Sequence, residues 1–206
     1  EANTTGDQNT ALGISALNVN TTANNNTAVG FEAMVANTTG TGNVAVGYRA
    51  LDANTTSSYS TAVGFNALTA NTGAENTAFG AYALVTCSTG IQNTSLGYSA
   101  LEKVTTGSYN TAVGHKALEE NLASNNTAIG FGALEANTTA SGNVAVGYGA
   151  LESNTTGDKN TAVGAHTLDV VTTGANNTGV GYGVLTNNTA SDNTGVGKWA
   201  LNSNTT

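Results

Sequence analysis

Hydrophobic and polar positions along the chain recur with a single period. The glycine of a repeated Asn-Thr-Ala-Val-Gly marks it, at Gly13, Gly30, Gly47, Gly64, Gly80, Gly97, Gly114, Gly130, Gly147, Gly164, Gly181 and Gly197. The spacing is 17 residues, shortened to 16 three times. Positions are numbered here from that glycine. Position −1 is apolar in every repeat, from Leu12 and Val29 through Phe79 and Ile129 to Val196. Position −2 is always tiny: Ala, Ser95, Gly179 or Gly195. Position +3 is Ala except at Thr167 and Val184, and +4 is Leu except at Met34. Position −4 is Asn except at Ser60, and +7 is Asn except at Cys87, Val104 and Val171. The missing residue of each short repeat falls in the Asn/Thr/Gly stretch, which marks that stretch as a loop with turn chemistry. Thr-Ala-Val, with its β-branched residues and small-large alternation, predicts a strand. A second strand is expected around Ala-Leu. A helix there is excluded, because Thr, Asn and Gly interrupt every short apolar stretch.

A unit of this length cannot enclose its own core, but it can form one turn of a stack. The fold class expected is therefore all-β: a parallel β-solenoid (β-roll) of twelve 16–17-residue coils, one array over residues 1–206. At about 4.8 Å per coil the rod is roughly 57 Å long. Equivalent Asn side chains then lie one layer apart and can bond up the stack. The expected structural ladder at −4 is Asn9, Asn26, Asn43, Asn76, Asn93, Asn110, Asn126, Asn143, Asn160, Asn177 and Asn193. The glycine is expected to make a corner with positive φ. Strand alternation sends Ala to one side and Val to the other. A narrow Ala-lined interior leaves a Val file outside, which suggests an interface between chains; a homotrimer around a common axis, or a filament, is the expectation. Because the chain starts and stops within the repeat pattern, it reads as part of a longer fibrous protein.

Asn110-Thr111-Ala112-Val113-Gly114 with Ala117-Leu118, and Asn160-Thr161-Ala162-Val163-Gly164, carry a resemblance. They resemble the head repeats of trimeric autotransporter adhesins, and are similar to arrays in phage tail-fibre-like and surface proteins. The resemblance covers the whole chain. It implies a left-handed β-roll, three chains about an axis, and an extracellular, cell-surface or virion location. The present repeat is longer than the autotransporter one, which implies a larger loop, and its large and small strand residues stand in a different order.

Composition narrows the function classes. Charged residues make up 9% of the chain, there is no Pro, and the net charge is −8. Arg49, Lys103, Lys116, Lys159 and Lys198 are too few for a phosphate-binding stripe, so nucleic acid is not an expected partner. No apolar run is long enough for membrane insertion. A single cysteine, Cys87, excludes an internal disulfide framework and is expected to be buried as a small hydrophobe.

Recognised catalytic motifs are missing, and the expectation is that the protein is not an enzyme. His115 and His166 occupy different columns and read as surface substitutions. Position +1 is often aromatic: Phe31, Tyr48, Phe65, Tyr98, Phe131, Tyr148 and Tyr182, interrupted by Ile14, Ala81, His115, Ala165 and Lys198. This file either seals a corner between coils or offers a stacking surface for a glycan on a host. Glu102, Glu119, Glu135, Glu152 and Asp169 stand at +5 in successive repeats. Solvent screening is the simpler reading of their repulsion; bridging by Ca2+ makes them metal candidates, although one carboxylate per coil is thin for that ion. No cofactor is otherwise implied. The Asn-x-Thr triplets at Asn3, Asn20, Asn37, Asn54, Asn137 and Asn154 read as ladder residues that spell a glycosylation signal by chance. The function expected is a structural or adhesive segment of an extracellular fibre. The alternative is an ice- or mineral-binding solenoid, against which stands the adjacency of the Thr-Thr pairs at +8 and +9, whose side chains an extended strand would point oppositely.

Overall fold

The computed structural model describes residues 3–204. It holds twelve three-residue strands, β1 (Thr10–Leu12) to β12 (Thr194–Val196), one per repeat. They form one parallel sheet in strict sequence order. Each strand pairs with its equivalent in the next coil: Thr111 lies against Thr127, Ala112 against Ala128 and Val113 against Ile129. The register never slips, even where a repeat is one residue short, because the deletion lies in the loop. Residues 1, 2, 205 and 206, with which the repeat pattern begins and ends, lie outside the described residues.

The second strand, expected around Ala-Leu, does not form; the segment is a turn in every coil. Backbone geometry gives the reason. Four positions per coil take positive φ: −5, 0, +2 and +4. In coil 7 these are Tyr109 (60°), Gly114 (134°), Lys116 (59°) and Leu118 (54°). Left-handed residues so closely spaced cannot continue a strand. They turn the chain so that Ala117 and Leu118, though adjacent, are both fully buried. A left-handed Leu costs about 1–2 kcal/mol, while burying its side chain contributes about 1.5–3 kcal/mol. The surplus per coil is small, so the coil depends on bonds to its neighbours. Proline, with φ fixed near −65°, fits none of the four positions.

The glycine corner is fixed by close approach as well as by φ. A Cβ at Gly97 would sit 2.3 Å from the carbonyl oxygen of Gly114, in the coil above. The same clash recurs from Gly13 to Gly164.

The interior is narrow. Ala at −2 and +3, Leu at +4 and the two Asn files fill it. The exceptions to the small-residue columns compensate one another. Thr167 stands where Ala is usual at +3, and Gly179 faces it from the next coil; a Cβ on Gly179 would lie 2.5 Å from Thr167 Cγ2. Val184 and Gly195 repeat the arrangement, with the added Cβ at 2.7 Å from Val184 Cγ1.

Both Asn files are buried, and they work differently. At −4 the side-chain oxygen accepts from the main-chain N–H of its counterpart: Asn110 N donates to Asn93 Oδ1 (3.0 Å) and Asn126 N to Asn110 Oδ1 (3.0 Å). The Nδ2 group of Asn110 donates to the carbonyl of Ala123 (2.8 Å). Ser60 preserves the chain of bonds through its hydroxyl, which accepts from Asn76 N at 3.3 Å. The expected ladder is therefore present, chiefly as side-chain to main-chain bonds. Amide-to-amide stacking characterises the +7 file, as in Asn54 Nδ2 to Asn37 Oδ1 (2.9 Å) and Asn154 Nδ2 to Asn137 Oδ1 (3.1 Å). That file breaks in two ways: Val171 supplies no donor to Asn154 Oδ1, and Asn71 turns its Nδ2 to the Gly73 carbonyl (2.7 Å) and away from Asn54 Oδ1, which leaves both oxygens buried without a partner.

Candidate functional site

Because the interior is packed, chemistry at the surface rests on files of side chains along the rod. The concavity lined by Asn3, Asn9, Ala11, Ala16, Leu17 and Asn20 is the interior of the first coil seen end-on.

One file is aromatic and longer than the +1 column suggested. Phe31, Tyr48, Phe65, Tyr82, Tyr98, His115, Phe131, Tyr148, His166, Tyr182 and Trp199 follow one another with centroids 5.0–6.2 Å apart. Where +1 is Ala81, Ala165 or Lys198, the ring comes from +2: Tyr82, His166 or Trp199. Two positions on one corner thus share one slot, and an aromatic residue beside each gap was the signal that fixed-column reading missed. His115 and His166 belong to this file and are not isolated substitutions. Phe31–Tyr48–Phe65 and Tyr98–His115–Phe131–Tyr148 stack with interplanar angles of 4–14°. In such a stack each inner ring has neighbours on both faces and offers solvent its rim. A sugar laid flat on a ring needs an open face, so mid-stack rings do not provide that contact.

Three members of the acidic file, Glu119, Glu135 and Asp169, have a lysine or imidazole neighbour. Lys116 Nζ lies 3.0 Å from Glu119 and 3.6 Å from Glu135, and Lys103 pairs with Glu120. His166 Nδ1 is 3.1 Å from Asp169. Arg49 lies 2.8 Å from Asp52 and 3.3 Å from Glu32. Partial burial, then the charges of Asp169 and Glu135, raise the Glu152 pKa above the usual carboxylate value. Burial also raises that of Asp52, and Arg49 offsets this in part. Among the described residues, no three His, Cys, Asp or Glu side chains come together to hold a metal ion. Glu102, Glu119, Glu135, Glu152 and Asp169 are spaced along the rod without converging.

Cys87 is fully buried in the +7 file, its thiol 3.5 Å from the carbonyl of Gly90, and burial pushes its pKa up to about 11. A thiol so placed is unreactive. Asn20, Asn37, Asn54, Asn137 and Asn154 are also fully buried, whereas Asn3 is exposed. A glycan on any of the five buried amides would have to displace the core.

The sheet itself is the remaining surface. Strand burial alternates, with the middle residue buried and the outer two more open from β2 to β12. Ala therefore points inward, while Thr at −3 and the apolar residue at −1 point outward together. Val44 and Val144 are the two exceptions among the Thr residues. This outward double file is the arrangement the alternation predicted for Val, with Thr beside it. Among the described residues, no helix is long and apolar enough to cross a membrane. Comparison of the chain with family models, with curated proteins and with solved structures gave no match.

Proposed function

We propose that this chain is a rigid segment of an extracellular fibre, with a structural and adhesive role. The observation that carries the reading is the unbroken register of twelve parallel strands. Each inner coil is bonded to the coils on both sides through its strand, its glycine corner and the −4 file. Such a stack does not extend without breaking several bonds at once, and it holds surface side chains at fixed intervals. The aromatic file adds a second continuous seam along one corner. The reading does not require chains to associate through the sheet face, and trimer formation is a separate matter.

Immunoelectron microscopy on intact source cells or particles, with antibody raised against the folded chain, tests the reading. Label along filaments that project from the surface is the expected result. Label confined to the interior would overturn it.

A further inference from the structure

The outward sheet face differs from the rest of the surface in three ways. It carries no charge: positions −3 and −1 hold only Thr, Val, Leu, Ile and Phe in all twelve coils. It is built from β-branched side chains almost throughout, and these are stiff at χ1. Among the described residues, the Thr hydroxyls at −3 enter no side-chain hydrogen bond, whereas five of those at +8 do, as with Thr138 to the Thr155 carbonyl (3.0 Å).

The face is also ruled like a lattice. Rows repeat every ~4.8 Å along the rod, and the two files lie ~6.7 Å apart across each strand. The register passes from coil to coil without a slip from β1 to β12. In water hydrogen-bonded tetrahedrally at ~2.75 Å, second neighbours lie about 4.5 Å apart, and the repeat along the stacking axis is about 7.3 Å. Both spacings, which any in-register parallel sheet carries, match those of crystalline water to within about a tenth.

We infer that the Thr/Val face is an ice-binding surface. Methyl groups and unengaged hydroxyls at fixed positions order the water above them into the crystal's arrangement. Their stiffness keeps the entropy cost of that contact low. The best-ruled stretch runs from β7 (Thr111–Val113) to β12. Phe79 and Leu96 separate it from the shorter run at β2 (Thr27–Val29) to β4 (Thr61–Val63). The inference is independent of the fibre reading, because the folded chain alone suffices.

The test is thermal hysteresis and ice-crystal shaping by the full chain, with sedimentation velocity on the same samples. The wild-type chain is expected to sediment as a monomer, shape crystals and show hysteresis. Thr161→Lys, on the face, should lose both effects while keeping its circular dichroism. Thr156→Lys, an exposed position off the face, should keep both. Phe79→Val with Leu96→Val should join the two runs and raise the hysteresis. Absence of hysteresis in the wild type would overturn the inference, as would equal loss in Thr156→Lys. A stable trimer that shields the face would overturn it too, with a second copy as the occupant.

Discussion

Two files rich in threonine run along this rod, one interrupted at +8 by Ser88 and Leu122 and the other at −3 by Val44 and Val144, and they illustrate two uses of one side chain. At +8 the hydroxyls of Thr21, Thr38, Thr72, Thr138 and Thr155 belong to the fold. Thr155 donates from both its N–H (2.9 Å) and its Oγ1 (3.0 Å) to the carbonyl of Thr172, which also accepts from Thr156 N (3.1 Å). Three donors from one coil converge on one oxygen of the next. At −3 the same residue type stands beside Val on the sheet, and its hydroxyl faces outward. The first file stabilises the rod; the second leaves its chemistry for whatever meets the surface. Substitutions that are costly on the inner side should therefore be nearly silent in stability on the outer face, and the reverse should hold for binding.

The largest effects are expected inside. Asn110→Ala removes the acceptor for Asn126 N and the donor to the Ala123 carbonyl. Asn126 N is left unpaired, whereas the Ala123 carbonyl keeps its bond from Asn121 Nδ2 (2.9 Å); at about 1–3 kcal/mol for a buried group left unpaired, we expect a loss of about 1–3 kcal/mol by chemical denaturation. Gly179→Ala should cost about 1–3 kcal/mol through overpacking. The loss should largely vanish when Thr167→Ala is added, because the clash is with Thr167 Cγ2. A double-mutant cycle without coupling would show that the two columns do not compensate.

Smaller effects sharpen the comparison. Val171→Asn places a polar group in the core, yet it is expected to stabilise the rod by about 1 kcal/mol. It supplies the donor that Asn154 Oδ1 lacks and restores the file between Asn154 and Asn188. The matched pair comes last. Thr155→Val should cost about 0.5–1 kcal/mol through one lost bond, whereas Thr161→Val should change stability by less than ~0.5 kcal/mol. Equal costs would erase the distinction between the files.

Much of the architecture was legible in the sequence, because vertical stacking turns structural roles into columns. The glycine column reported the corner, the short repeats located the loop, and Thr-Ala-Val gave the strand and its inward Ala. The Ala-Leu segment was misread as a strand because apolar pattern and propensity favour an extended form. Only the placing of positive φ at +2 and +4 makes adjacent Ala and Leu both point inward, and Leu is not a residue whose presence announces it. The aromatic file was half legible. Seven rings stood in one column, but Tyr82, His166 and Trp199 reach the same slot from the next position, and a column has no width. The −4 Asn file was legible as a ladder; its partners were not, since spacing alone does not say whether an amide meets another amide or the main chain.

Every element of this account depends on each residue lying over its counterpart one coil up. Disulfide trapping tests that directly. In a Cys87→Ser background, Thr127→Cys with Val144→Cys places thiols on register partners of adjacent strands. Their Cα separation of ~4.8 Å falls within the range a disulfide spans. Thr127→Cys with Thr161→Cys places them two coils apart, at ~9.6 Å. We predict efficient intramolecular cross-linking of the first pair and none of the second. Cross-linking of the second pair in preference to the first, or of neither, would contradict the stack.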